Sequence, residues 1–362
     1  MIKVLVVDDS AIVRRVLSAH LSRAADIEVV GTAVDPYVAR EKIIALRPDV
    51  ITLDLEMPRM GGLAFLARLM KYYPLPVIVV SSLTPQGSEA AMRALELGAV
   101  DVIAKPGAGY TVGEIAQMLV DRIRAAAAAH RVQKDRALPP EVPSRSFEPP
   151  MATAGSGSRK ILAIGASTGG TEAIKKVLLG LPANGPATVI VQHMPANFTA
   201  AFAQRLNQLC LMDVREARDQ DVLAPGVALV APGNRHMTLR RCGSRYGVEI
   251  KNGPPVHHQR PSVDVLFHSV AQQAGADAVG AILTGMGGDG ARGLLAMRRA
   301  GAVTLAQDEA SCVVFGMPRE AIALDAAEKV VPIEQMSRQI LGAVSGKQVE
   351  CEQGIGSGKE TA

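Results

Sequence analysis

Twice along this chain, short apolar runs alternate with amphipathic stretches, and a proline-rich break separates the two series. In the first series, residues 2–7, 29–33, 50–53, 77–80 and 100–104 read as five buried strands. Helical patterns lie between them, and Ser10 is placed to cap the first helix. The second series opens with the strand KILAIGA, the turn and helix STGGTEAIKKVLLGLP and the strand ATVIVQHM. VALVAPG, AVGAILTGM and AVTLAQD follow. Such alternation predicts α/β architecture in both halves, with a parallel or mostly parallel sheet covered by helices on both faces. The break contains five prolines between 139 and 150 and ends in Gly and Ser, so neither a packed helix nor a central strand can cross it. The expected division is a first domain over 1–125, a linker over 126–158, a second domain over 159–345 and a frayed tail over 346–362.

The 362 residues suit two domains, and 48% hydrophobic with 20% charged residues is ordinary for a globular chain. A net charge of +4 with no dense Lys/Arg run, 3% aromatics and no Trp argue against a nucleic-acid surface. Two acids interrupt the apolar start MIKVLVVDDS, and no run of about 18 apolar residues occurs, so neither a signal peptide nor a membrane span is expected. The four cysteines lack metal-ligand spacing, and a reducing, cytoplasmic setting is expected.

In an open parallel sheet, ligands bind beyond the carboxyl ends of the strands. Asp8 and Asp9 end the first strand, Asp54 the third, Ser81 the fourth and Lys105 the fifth. Any one of these acids alone reads as a solvated loop residue. Together they place three carboxylates, a hydroxyl and an ammonium at one sheet edge. Clustered carboxylates call for a cation, and Mg2+ suits one or two carboxylates plus phosphate oxygens. A carboxylate beside such an ion can attack phosphorus and become an aspartyl phosphate.

In the second half, Gly165-Ala166-Ser167-Thr168-Gly169-Gly170 fits a G-x-S-x-G elbow, with a serine on a tight strand-to-helix turn. A turn of this kind also suits phosphate, and Ser167 there can equally serve as a helix N-cap. Neither G-x-G-x-x-G spacing nor a P-loop lysine is present. Of seven histidines, His193 ends the strand after the elbow helix and so falls at the same edge as Ser167. Asp289 sits in the Gly-rich turn of AVGAILTGMGGDG, where it reads either as a turn residue or as the acid that orients a base. Thr168 and Met286 are placed to lend backbone N–H groups to an oxyanion. The order Ser, His, Asp differs from that of α/β-hydrolases.

VDDS, DLEMPRMGG, SSLT and AKP resemble the flavodoxin-like receiver domain of response regulators. The resemblance implies Asp54 as phosphoacceptor, with Asp8, Asp9 and the Glu56 carbonyl on Mg2+. Ser81 and Lys105 become the switch hydroxyl and the phosphate-contacting lysine. Val102 stands where the usual switch aromatic would fall. IGASTGG, VQHMP, LTGMGGDG and QDEASCVVFGMPREAI resemble the doubly wound catalytic domain of the chemotaxis protein-glutamate methylesterases, the CheB family. That resemblance implies Ser167 as nucleophile, His193 as base, Asp289 as its orienter, and Thr168 and Met286 as oxyanion donors. It implies hydrolysis of glutamate methyl esters and deamidation of glutamines on chemoreceptors, with no cofactor for hydrolysis and Mg2+ for the receiver. A chemotaxis histidine kinase is the implied phosphodonor, and a monomer is expected. The competing expectation is a non-catalytic binding module of a chemosensory pathway.

Overall fold

The computed structural model describes residues 1–105, 112–135 and 160–346. In the first part the order is β1 (Ile2–Val7), α1 (Ala11–Leu21), β2 (Ile27–Ala33), α2 (Pro36–Leu46), β3 (Val50–Asp54), α3 (Gly62–Tyr72), β4 (Val77–Ser81), α4 (Pro85–Glu96), β5 (Asp101–Ala104) and α5 (Val112–Asp135). The five strands pair in parallel in the order β2-β1-β3-β4-β5. Residues of β3, β4 and β5 are all buried, as a parallel sheet covered on both faces requires. The order reverses between β1 and β3, which opens a crevice at their carboxyl ends. Ser10 caps α1, its hydroxyl accepting the Val13 N–H.

The second part runs β6 (Ile161–Ala166), α6 (Gly170–Leu179), β7 (Ala187–Gln192), α7 (Phe198–Leu209), β8 (Asp213–Glu216), β9 (Val227–Val230), β10 (His236–Cys242), β11 (Arg245–Lys251), α8 (Val263–Gln273), β12 (Ala278–Ile282), α9 (Ala291–Arg299), β13 (Val303–Gln307), α10 (Met317–Ala323), β14 (Lys329–Val331) and α11 (Ile333–Ser345). Seven strands form one sheet in the order β14-β13-β12-β6-β7-β9-β8, and every pairing in it is parallel. β10 and β11 stand apart as an antiparallel hairpin. The chain winds outward from β6 on one side and returns through β12 on the other, so the topological switch lies between β6 and β12.

Two boundaries differ from the expected ones by more than a single residue. β2 begins at Ile27 rather than 29, because Ile27 is buried against the core while Glu28 points out. Helix α5 continues through residues 126–135, into the stretch expected as linker, because an alanine run is a strong helix former and no breaker intervenes. The remainder of that linker, and nearly all of the expected tail, lies outside the described residues. Among the described residues, no helix is long and apolar enough to cross a membrane.

The two parts are docked. A single apolar cluster holds Val79, Met92 and Val102 together with Ile164, Phe198 and Phe202. Helices α4 and α7 pack across the junction. There Asn197 Nδ2 donates to the Leu83 carbonyl at 2.8 Å, and Arg205 pairs with Glu96 at 2.5 Å.

Candidate active site

At the first switch point, Asp8, Asp9 and Asp54 bring carboxylate oxygens within 4.8 Å of one another. Lys105 Nζ lies 2.6 Å from Asp54 Oδ2 and 3.2 Å from Asp8 Oδ2. Asp54 also accepts the Glu56 N–H at 3.1 Å. Burial is the largest influence on both Asp54 and Asp8 and raises their pKa values, although Lys105 acts in the opposite direction. Burial opposes the charge of Lys105, but Asp54 and Asp8 outweigh it and raise its pKa. Asp8 Oδ2 is buried and, apart from its ion pair with Lys105, meets no hydrogen-bond donor among the described residues. One under-satisfied buried oxygen beside two further carboxylates fits a hard divalent cation. Ser81 is buried, and its hydroxyl turns toward the Gly87 carbonyl in the first turn of α4. Val102 is buried in β5.

At the second switch point, Ser167 follows β6, His193 follows β7 and Asp289 lies in the loop after β12. The sharp turn after Ser167 needs Gly169: its φ is +77°, and an added Cβ would stand 2.6 Å from Val313. Gly169, not Ser167, is the N-cap of α6, so the serine is left free of a capping role. His193 Nε2 and Asp289 Oδ2 are 2.8 Å apart, both residues buried. Asp289 accepts three further bonds, from the Ser262 hydroxyl at 2.8 Å and the N–H groups of Val263 at 2.8 Å and Asp264 at 3.0 Å. Burial pushes the Asp289 pKa up, but the hydrogen bond and charge of His193, followed by the Asp264 N–H and the Ser262 hydroxyl, hold it below the usual carboxylate value. With Nε2–H given to Asp289, Nδ1 is the nitrogen left to accept a proton, and it has no partner among the described residues. The backbone N–H groups of Thr168 and Met286 likewise meet no acceptor among the described residues.

Ser167 is not hydrogen-bonded to His193. Its Oγ accepts instead from Arg122 Nη1, on α5 of the first part, at 2.7 Å. The same nitrogen reaches Thr168 Oγ1 at 2.6 Å, and Nη2 donates to the His193 carbonyl at 3.1 Å. Asp101, at the start of β5, pairs with Arg122 at 2.8 Å and accepts the Thr168 hydroxyl at 2.9 Å. Arg122 and Asp101 are 5% exposed each, so a charged pair is enclosed at the junction. Sequence reasoning missed Arg122, Asp101 and Ser262. A mid-helix arginine followed two residues later by another reads as a solvated face, and nothing local marks partners 45 residues away.

Over residues 162–340 the chain matches the family described as CheB methylesterase, and over residues 4–116 the response regulator receiver domain. It is 57% identical over 347 residues to the protein-glutamate methylesterase/protein-glutamine glutaminase 2 of Syntrophus aciditrophicus, covering 95% of this chain and 99% of that protein. It is 52% identical over 349 residues to the protein-glutamate methylesterase/protein-glutamine glutaminase of Salmonella typhi, covering 96% and 98%. The solved structure of the Thermotoga maritima CheB methylesterase catalytic domain aligns with a TM-score of 0.50 at 33% identity. That alignment covers 51% of this chain and 98% of that one.

Proposed function

The chain belongs to the CheB methylesterase family, with a receiver domain ahead of the esterase domain, and from this we propose that it hydrolyses glutamate methyl esters on chemoreceptor helices and deamidates receptor glutamines. One observation carries the reading. A buried His–Asp pair leaves one imidazole nitrogen without a partner among the described residues, at the switch point where a serine sits on a glycine elbow.

In this reading Ser167 Oγ attacks the side-chain carbonyl carbon while His193 Nδ1 takes its proton. The Thr168 and Met286 N–H groups receive the oxyanion of the tetrahedral intermediate. Asp289 holds the imidazole in the tautomer that presents Nδ1 and stabilises the imidazolium. His193 then gives its proton to departing methanol or ammonia. It next takes one from water, whose oxygen attacks the acyl carbon; the acyl–Oγ bond then breaks as His193 returns that proton to Ser167 Oγ, leaving glutamate, free Ser167 and neutral His193.

The receiver supplies control. Asp8, Asp9 and Asp54 would hold Mg2+, which neutralises charge during phosphoryl transfer to Asp54. A histidine kinase is the proposed phosphodonor. In the docked form Arg122 occupies the nucleophile, and a substrate helix cannot reach Ser167 past α5. A phosphoryl group on Asp54 would draw Lys105 and Ser81 toward its oxygens, shift the β4–α4 loop and loosen the α4–α7 contact. Methanol release from methylated receptor membranes by the full-length, phosphorylated chain tests the catalytic reading. Ser167→Ala should abolish release. Undiminished release by that variant would overturn Ser167 as the nucleophile, and no release by the wild-type chain above that of the membranes alone would leave a binding module as the better reading.

A further inference from the structure

The Asp289 carboxylate is held by more than its histidine. Ser262 is fully buried at the N-cap of α8, and its hydroxyl donates to Asp289 Oδ1 at 2.8 Å. The next two N–H groups of the chain close on the same carboxylate, Val263 onto Oδ2 and Asp264 onto Oδ1. The Ser262 backbone is fixed in turn. Its N–H donates to Nδ1 of the buried His236 at 3.3 Å, and His236 Nε2 meets the Pro254 carbonyl at 3.0 Å. Those two contacts require the tautomer of His236 with its proton on Nε2. A chain of hydrogen bonds therefore runs from Pro254 through His236 and Ser262 to Asp289 and His193.

Resting on the assignment of Asp289 as the partner of His193, we propose that Ser262 is a positioning residue for the reaction, with His236 as its support. A carboxylate with one oxygen unpinned can rotate about its Cβ–Cγ bond. Oδ1 is held by two donors, the Ser262 hydroxyl at 2.8 Å and the Asp264 N–H at 3.0 Å, and the shorter, side-chain one can be removed by substitution without altering the main chain. The pair of them keeps Oδ2 on His193 Nε2–H and leaves Nδ1 to accept the serine's proton. Ser262 touches neither substrate nor the reacting atoms in this scheme. It acts by fixing the geometry of the acid, and small departures in that geometry are costly for proton transfer. Its capping role for α8 is separable, because glycine at an N-cap costs a helix little.

The test uses the full chain, phosphorylated by acetyl phosphate with Mg2+, and follows methanol release. Ser262→Ala and Ser262→Gly should each lower kcat by about tenfold or more with KM within about twofold, since a hydrogen bond to a charged group is lost. The glycine variant should remain folded at the assay temperature, with a melting temperature lowered by no more than the loss of one such hydrogen bond. In an Asp289→Ala background Ser262→Ala should cost no further activity, because it works through that carboxylate. The His193 Nε2–H proton resonance should move in Ser262→Gly. Wild-type kcat in the folded glycine variant would overturn the proposal, as would an equal further loss in the Asp289→Ala background. Wild-type kcat in Asp289→Ala alone would instead overturn the His–Asp reading beneath it.

Discussion

Arg122 gives one guanidinium to acceptors from both halves of the molecule: Asp101 on its own side, and Ser167, Thr168 and the His193 carbonyl on the other. Burying such a pair costs desolvation, and removing one partner leaves the other charge enclosed and unmatched, a penalty of about 3–5 kcal/mol. For Arg122→Ala that penalty falls mainly on the docked form, because the Asp101 carboxylate is enclosed there partly by Thr168 of the other domain. The variant should therefore favour separation and free the serine. We predict a several-fold rise in methanol release without phosphodonor, measured on the full chain. An unchanged basal rate would show that Arg122 does not restrain Ser167.

Elements meet at the second switch point with little slack. Gly165 in β6 faces α8, and a Cβ there would stand 2.2 Å from Val263 Cγ1 and 3.2 Å from Phe267. Gly165→Ala should push α8 away from the sheet, lower stability by about 1–3 kcal/mol as overpacking does, and carry the Val263 N–H off Asp289. Thermal unfolding and kcat should fall together; a kcat loss without any shift in melting temperature would contradict this route. The strand-end positions of Ser167, His193, Asp8, Asp9, Asp54 and Lys105 were legible in the sequence, because each follows an apolar run whose end is visible without tertiary knowledge. Asp289 was legible through the glycines around it. β8 was not, since DVRE carries one buried apolar residue. The hairpin of β10 and β11 carried a signal in the Gly243-Ser244 turn, with Gly243 at φ +61°, but its polar flanks masked it. Ser262 escaped notice because its partner lies 27 residues away.

For the molecule as a whole, docking joins the proposed phosphorylation site and the proposed nucleophile, which lie at the carboxyl edges of two different sheets. The α4–α7 junction connects to the proposed phosphorylation site through β4, since Leu83 lies two residues beyond Ser81. Replacing Asn197 and Arg205 together by alanine should raise basal methanol release even in an Asp54→Asn background, where acetyl phosphate gives no stimulation. Failure of the pair to raise it in that background would place the restraint elsewhere. Two of the bonds that tie the halves together end on main-chain carbonyls, those of Leu83 and His193. No substitution can delete a carbonyl, so on that side docking is insulated from mutational drift. Change must fall on the side chains that reach for it, and a homologous protein that has replaced Asn197 or Arg122 should carry another hydrogen-bond donor there.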